Sequence, residues 1–156
     1  MDNRPIGVFD SGVGGLTVVN ALVQRTSSET IYYVGDTARV PYGNKSRKRI
    51  QQYSEQIIDW LIKKDCKMVI VACNTASSLA IDYLQRKFSL PIVGVIDPGV
   101  QLAISKTKSQ SIGVIGTNAT IQSNAYGEKL KLIRPEINIF NQPCPLFVPL
   151  VEEGLT

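Results

Sequence analysis

The stretch Met68-Val-Ile-Val-Ala-Cys-Asn-Thr-Ala-Ser-Ser78 decides the fold class of this protein. Its first five residues are apolar throughout, which predicts a strand covered on both faces. The small and mostly polar run that follows, from Cys73 to Ser78, predicts the start of a helix. A strand that is buried on both faces and leads directly into a helix is typical of a parallel sheet with helices packed on it.

The same alternation extends in both directions along the chain. Apolar runs rich in Val and Ile predict five further strands, at Pro5–Phe9, Thr30–Val34, Ile92–Ile96, Ser111–Ile115 and Ile137–Phe140. Helices are predicted after an N-cap at Ser46, over Thr75–Arg86, after an N-cap at Asp97 with Pro98 in the first helical position, and after Thr117. This order of elements predicts the α/β class, with a parallel sheet and helices on both of its faces.

Two segments of the chain, Pro5–Ser11 and Ser111–Thr117, are similar to each other in sequence. Two pseudo-symmetric α/β halves would explain the similarity, and so would the ordinary composition of buried strands. If there are two halves, the boundary falls near Asp97. Residues 1–96 then form an N-terminal α/β domain that carries Cys73, and residues 97–156 form an incomplete second α/β domain.

Composition excludes several classes of protein. The chain has 156 residues, of which 44% are hydrophobic and 19% charged, as in ordinary globular domains. Its longest apolar stretch is far shorter than the roughly 18 residues needed to cross a bilayer, and no signal-peptide pattern follows Met1. A net charge of +4 is too small to indicate nucleic acid. We therefore expect a cytoplasmic protein with neither a membrane nor a nucleic acid as its partner.

The histidine and cysteine content limits the chemistry further. Histidine is absent, so imidazole-dependent triads and metal sites cannot come from this chain alone. The three cysteines, Cys66, Cys73 and Cys144, form no Cys-x-x-Cys pair, which argues against a zinc site and a disulfide framework. Cys66 lies at the entry of a strand and Cys144 between two prolines, and we assign both to packing. We expect no metal site.

Ligands of parallel sheets bind beyond the carboxyl ends of the strands. The residues that follow the predicted strands are Asp10-Ser11, Gly35-Asp36, Cys73-Asn74-Thr75, Asp97 and Gly116-Thr117. Among them, Cys73 would lie at the N-terminus of a helix, where the helix dipole lowers the pKa of a thiol and makes it reactive. The alternative is a buried, inert cysteine.

Two loops are further candidates for function. Asp10–Gly15 follows the first strand but matches neither a dinucleotide-binding motif nor a Walker loop. Asp10 itself has two interpretations: an acid, base or ammonium anchor, or a helix-capping residue. Gly35–Ser46 is long for a plain connection, which favours a functional role. The basic cluster Lys45–Arg49 is predicted to be a solvated face.

Five segments of the chain resemble the signature segments of glutamate racemases, in the same order. They are Ile6–Thr17, Gly35–Gly43, Val71–Ser77, Ile115–Thr120 and Pro145–Gly154. The resemblance covers essentially the whole chain. It implies a cofactor-independent interconversion of L- and D-glutamate, which supplies D-glutamate for peptidoglycan and so serves the cell wall and cell shape. In that reaction one thiolate removes the α-proton and a second thiol delivers a proton to the opposite face.

The resemblance also implies roles for individual residues. Cys73 is one of the two proton-transfer residues. The substrate-binding residues are Asp10, Ser11, Tyr42, Gly43, Asn74 and Thr75. Further candidates are Thr117 and Thr120 for the side-chain carboxylate and Glu152 for support of the second thiol. Glutamate is then the small-molecule partner, no cofactor is needed, and a homodimer is compatible with the sequence.

One family feature is not found in this sequence. The second cysteine of glutamate racemases lies in a Gly-Cys-Thr-His segment, and the sequence contains no such segment. Cys144 belongs to a different, non-catalytic stretch. We therefore expect the chain to correspond to the N-terminal portion of a racemase and to be inactive, or nearly so, by itself. The alternatives are a catalytically incompetent module that binds a ligand or partner, and a nucleotide-binding domain, which rests on the glycine loop alone.

Overall fold

The structure is a computed structural model and describes residues 2–26 and 28–155. Residues 1 and 156, at the outer ends of the two predicted domains, lie outside the described residues. The strands are β1 (Ile6–Asp10), β2 (Ile31–Gly35), β3 (Met68–Val71), β4 (Ile92–Gly94), β5 (Ser111–Gly116) and β6 (Asn138–Pro143). The helices are α1 (Leu16–Arg25), a 3₁₀ helix (Tyr42–Asn44), α2 (Arg47–Lys63), α3 (Asn74–Leu79), α4 (Ile81–Lys87), α5 (Ile96–Lys106), α6 (Asn118–Ser123), α7 (Ala125–Ile133) and α8 (Phe147–Glu152).

The first four strands form one parallel sheet in the order β2-β1-β3-β4. Ile6 is in register with Ile31 on one side and with Met68 on the other. The predicted α/β class and each predicted strand are confirmed, with ends that differ by a few residues. β4 ends at Gly94, earlier than predicted, because Ile96 already belongs to α5.

Helices cover both faces of this sheet, as the continuous apolar runs predicted. Val8 and Phe9 are neighbours in β1, and both are completely buried. Phe9 packs with Ile58 and Leu61 of α2 on one face, whereas Val8 packs with residues of α1 on the other. Because successive strand residues point to opposite faces, an apolar residue is needed at both positions.

Two predicted helices are each divided into two shorter ones. The helix expected over Thr75–Arg86 breaks at Ala80, between α3 and α4. The side chains of Arg47 and Gln51 both donate to the carbonyl of Leu79 at this break. The helix after Thr117 breaks at Asn124, whose φ of 55° lies in the left-handed region that asparagine tolerates. Tertiary contacts and a local turn thus interrupt patterns that have continuous helical spacing.

The predicted N-caps have mixed outcomes. Ser46 caps α2 through its side-chain oxygen, as expected, and Thr117, after which a helix was predicted, caps α6 in the same way. Asp97 does not cap α5, because the helix begins at Ile96, after Val95, two residues before the predicted start at Pro98. Pro98 is then the third helical residue, a position whose N–H has no partner within the helix in any case. A proline therefore indicates that the first turn of a helix is near, but it does not determine the residue at which the helix begins.

β5 and β6 form a separate two-stranded parallel sheet. Its core consists of side chains from α5, β5, α7 and the segment before β6, among them Val100, Val114 and Leu130. Ile115 of β5 and Phe140 of β6 remain about two-thirds exposed. The division into residues 1–96 and 97–156 stays a prediction. Within the described part of the chain, no helix combines the length and apolar character needed to cross a membrane.

Two buried serines should respond in opposite directions to alanine. Ser54 is completely buried in α2, and its hydroxyl has no hydrogen-bond partner among the described residues. Ser77 donates to the carbonyl of Val71 at 2.8 Å and accepts from the amide of Val95 at 3.2 Å. We predict that Ser54→Ala stabilises the fold by about 1 kcal/mol, because an unsatisfied buried hydroxyl is removed.

The matched Ser77→Ala change should destabilise the fold by about 1–3 kcal/mol, since it leaves backbone groups unpaired. Urea unfolding of both variants beside the unsubstituted chain measures the two free energies of unfolding. A lower stability for Ser54→Ala than for Ser77→Ala would contradict this account of the core.

Candidate active site

The predicted site residues converge on one cavity at the carboxyl edge of the four-stranded sheet. The cavity has a volume of about 670 Å³. All seven residues singled out by the resemblance line it: Asp10, Ser11, Tyr42, Gly43, Cys73, Asn74 and Thr75. The further candidates Thr117, Thr120 and Glu152 line it as well. The parallel topology brings these residues together, because β1, β3 and β5 all end at the same cavity.

Cys73 lies at the junction between β3 and α3. It is the N-cap of α3, and its Sγ accepts a hydrogen bond from the amide of Ala76 at 3.4 Å. The thiol also donates to Oγ of Ser11 at 3.4 Å. Only 4% of the residue is exposed, although it lines the cavity. The thiol is therefore held between the start of a helix and the glycine loop.

The predicted lowering of the Cys73 pKa is wrong. Burial, followed by the negative charge of Asp10, raises the pKa of Cys73 to about 11. Hydrogen bonds from Ser11 and from the amide of Ala76 act in the opposite direction but are outweighed. Removing a thiolate from water costs more free energy than the interaction with the first turn of the six-residue helix α3 contributes to stabilising it. The neighbourhood must change before this thiol can act as a base at neutral pH.

Asp10 caps the glycine loop and lines the cavity at the same time. Its Oδ2 accepts hydrogen bonds from the amides of Gly12 and Gly15, both at 3.1 Å. In the described part of the chain Oδ1 accepts none, so one carboxylate oxygen remains available to a ligand. Asp10 thus holds the glycine loop but is not the N-cap of α1, which is Gly15, and its role as an anchor for a ligand stays a prediction.

Glu152 and Tyr33 hold the glycine loop from outside. Glu152 accepts from the amide of Val13 at 2.9 Å, and Tyr33 donates to the carbonyl of Gly12 at 2.6 Å. A Cβ atom at position 12 would overlap Oε1 of Glu152, which explains the need for glycine there. The contact ties α8 to the first loop across 139 positions of sequence. Sequence reasoning missed Tyr33, because a tyrosine in a strand carries no signal for such a contact.

Asp36 lies behind the cavity wall rather than on it. Tyr42 is 1% exposed, and its hydroxyl donates to Oδ2 of Asp36 at 2.5 Å. The guanidinium of Arg39 pairs with the same carboxylate at 2.7 Å and stacks over the ring of Tyr53. Burial, together with the hydrogen bond to Asp36, raises the pKa of Tyr42 well above its usual range. The Tyr42 hydroxyl therefore donates its proton to Asp36 and has none left for a ligand. What this segment can offer a ligand is its backbone.

The 3₁₀ helix presents that backbone at the cavity. The amides of Tyr42 and Gly43 are in its first turn and donate to no acceptor among the described residues. Gly43 packs so closely on Thr117 that a Cβ atom at position 43 would overlap the threonine side chain. Two unpaired N–H groups on residues that line a cavity are suited to a carboxylate.

Three threonine hydroxyls form a cluster beside the 3₁₀ helix at the cavity. Thr75 lies 3.0 Å from Thr117 and 3.1 Å from Thr120, and the last two are 3.0 Å apart, measured between their Oγ1 atoms. The cluster connects α3, which follows β3 of the four-stranded sheet, to α6, which follows β5 of the two-stranded sheet. Beside it, Tyr126 of α7 donates to Oδ1 of Asn74 at 2.6 Å. No pattern in the sequence indicated Tyr126.

The other two cysteines do not line the cavity. Cys66 is buried just before β3, at the opposite end of that strand from Cys73. Burial raises the pKa of the Cys66 thiol. Cys144 follows β6, and its thiol donates to the carbonyl of Gln142 at 3.6 Å. Both positions agree with a packing role.

The fold and the site define an α/β protein with a buried thiol, a carboxylate and free amides around a cavity suited to a small anion. A family profile described as Asp/Glu/Hydantoin racemase matches residues 6–139. The chain belongs to this family, and the resemblance found in its sequence is confirmed.

Its relatives include glutamate racemases. The chain is 50% identical to the glutamate racemase of Geobacter metallireducens, over 98% of this chain and 57% of that one. It is 47% identical to that of Staphylococcus aureus, over 97% of this chain and 57% of that one. The chain thus spans about 57% of the length of these relatives.

Solved structures show the same likeness. A glutamate racemase isoform from Bacillus anthracis superimposes with a TM-score of 0.95 at 40% identity, covering 99% of this chain and 58% of that one. The glutamate racemase of Francisella tularensis, solved in complex with D-glutamate, gives a TM-score of 0.91 at 46% identity, with the same coverage.

Proposed function

We propose that this chain supplies the Cys73 side of a glutamate racemase active site. The observation that carries the proposal is the hydrogen bond from the Cys73 thiol to Ser11, in the cavity that Asp10 also lines. A base, a carboxylate and free N–H donors are the groups that an amino acid with two carboxylates requires. The identity to glutamate racemases supports glutamate as that amino acid.

Substrate binding follows from the charges at the cavity. The free oxygen of Asp10 receives the α-ammonium group. The amides of Tyr42 and Gly43 and the side-chain amide of Asn74 donate to carboxylate oxygens. The hydroxyl of Thr75 joins them by exchanging one of its bonds within the threonine cluster for a bond to the ligand. No cofactor takes part in these contacts.

The chemical step is a proton transfer at the α-carbon. The Cys73 thiolate takes the α-hydrogen as a proton and forms an S–H bond. The electron pair of the broken C–H bond stays on the α-carbon and is delocalised into the α-carboxylate, where fixed donors stabilise the growing charge. A proton delivered to the opposite face then yields the other enantiomer.

Substrate binding itself lowers the cost of forming the thiolate. Burial and the charge of Asp10 raise the pKa of Cys73 to about 11. An ammonium group on Asp10 neutralises that charge and places a positive charge close to the sulfur, which favours the thiolate. The base therefore forms most readily when substrate is present.

Following the resemblance, the second proton donor would be a cysteine that faces the substrate from the side opposite Cys73. Cys73 is the cysteine of this cavity, and neither Cys66 nor Cys144 lines it. We expect the 156-residue chain to bind glutamate without inverting it. Following the resemblance, the complete reaction would be cytoplasmic and would supply D-glutamate for peptidoglycan; a homodimer is compatible with it.

Titration calorimetry with L- and D-glutamate, together with circular dichroism of the same solutions, tests this proposal. We predict heat of binding for at least one enantiomer and no change in the optical signal of the amino acid. Asp10→Asn should weaken binding about tenfold or more, because the ammonium group loses a charged partner. The matched Cys73→Ser variant should bind about as well as the unsubstituted chain.

Absence of binding to both enantiomers would contradict the proposal. Steady inversion by the 156-residue chain would contradict the need for an outside proton donor. A second candidate function is a module that binds glutamate without chemistry. The high pKa of Cys73 favours this second function. Only a measurement of hydrogen exchange at the α-carbon distinguishes the two candidate functions.

A further inference from the structure

Tyr126 and Asn74 form a hydrogen bond between two distant parts of the chain. The Tyr126 hydroxyl on α7 lies 2.6 Å from Oδ1 of Asn74 in the first turn of α3. Both residues line the cavity. Tyr126 takes part neither in the proposed proton transfer nor in the proposed substrate contacts. Its contact with Asn74 therefore has no assigned role.

The short distance fixes which end of the Asn74 amide meets the phenol. A separation of 2.6 Å is in the range of O–H···O hydrogen bonds and is shorter than usual for N–H···O. Burial raises the pKa of Tyr126, so its hydroxyl keeps its proton at neutral pH and donates it. If the amide were reversed, the phenolic proton would lose this acceptor in a half-buried place.

The ring of Tyr126 packs against the buried cluster of α5, β5 and α7. A Cβ atom at position 99 would lie 3.5 Å from the ring and the hydroxyl of Tyr126, so the ring passes close to the backbone of α5 at Gly99. The phenol therefore reaches Asn74 from the side of α5 and α7.

We infer that Tyr126 is a positioning residue that locks the Asn74 side chain with its NH₂ group toward the ligand. With Oδ1 occupied by the phenol, the two N–H bonds of Nδ2 are the part of the amide left to contact substrate. They donate to a carboxylate oxygen, whereas the carbonyl end would repel it. This inference rests on the proposed function, because it takes the carboxylate of glutamate as the ligand.

A double-mutant cycle on the 156-residue chain tests the inference, with D-glutamate affinity measured by titration calorimetry. Tyr126→Phe should weaken binding about three- to tenfold, the equivalent of one ordinary hydrogen bond. In an Asn74→Ala background, the same change should have no effect, because the group that Tyr126 orients is gone. Tyr83→Phe removes a hydroxyl that bonds Glu55 away from the cavity and should leave affinity unchanged.

The outcomes separate this inference from the proposed function. If the unsubstituted chain binds neither D- nor L-glutamate, the proposed function fails and this inference fails with it. If it binds glutamate and Tyr126→Phe binds equally well, only the inference fails. An equal loss in both backgrounds would mean that Tyr126 acts through general structure rather than through Asn74.

A second measurement does not depend on the variants folding. In ¹⁵N-labelled unsubstituted chain, the two Nδ2–H signals of Asn74 should shift when D-glutamate is added. Binding of D-glutamate that leaves these signals unmoved would overturn the inference.

Discussion

Raising the pH from 8 to 10 will increase the rate of Cys73 alkylation by iodoacetamide about 100-fold. Only the thiolate is alkylated, and below a pKa of about 11 its fraction grows about tenfold for each pH unit. Burial slows the absolute rate at every pH, so the ratio of rates is the informative quantity. Mass spectrometry of a Cys66→Ser, Cys144→Ser background measures modification at Cys73 alone.

Two variants test the direction in which Asp10 and Ser11 shift the pKa of Cys73. Asp10→Asn removes a charge that raises the pKa of Cys73, so alkylation should be faster at any given pH below 11. Ser11→Ala removes a hydrogen bond that lowers the same pKa, and alkylation should be slower. A rate for the unsubstituted chain that levels off near pH 8 would show an ordinary or lowered pKa and would contradict this description of the site.

The sequence predicts the sheet well because its strands are buried on both faces. A run such as Met68–Ala72 has few alternatives to a covered parallel strand, and parallel topology then places its carboxyl end beside that of β1. The meeting of Cys73 with Asp10 and Ser11 follows from this topology alone. The helix breaks at Ala80 and Asn124 do not follow, since the residues around them have ordinary helical spacing.

Several supporting contacts of the site could not be predicted, because they join positions far apart in the chain. Tyr126 and Asn74 are 52 positions apart, and nothing in either local sequence indicates the other. Asp36 was expected at the carboxyl edge beside the ligand, but it binds Tyr42 from behind. The direction of the Cys73 pKa shift was wrong for the same reason: a helix terminus is visible in sequence, whereas the depth of burial depends on the whole fold.

Proton NMR of glutamate in D₂O follows the α-hydrogen. This measurement tests most directly whether Cys73 exchanges that hydrogen. A single thiol faces one side of the α-carbon, so only one enantiomer should exchange its α-hydrogen for deuterium. That enantiomer should keep its configuration, because no second acid reaches the opposite face. The Cys73→Ala variant should lose the exchange, whereas Cys66→Ser and Cys144→Ser should retain it.

The expected result is Cys73-dependent loss of the α-proton signal from one enantiomer, with chiral chromatography showing no inversion. Exchange that persists in Cys73→Ala would contradict the role of this thiol. Binding of glutamate with no exchange of either enantiomer would contradict the racemase chemistry and leave a ligand-binding module as the function of this chain.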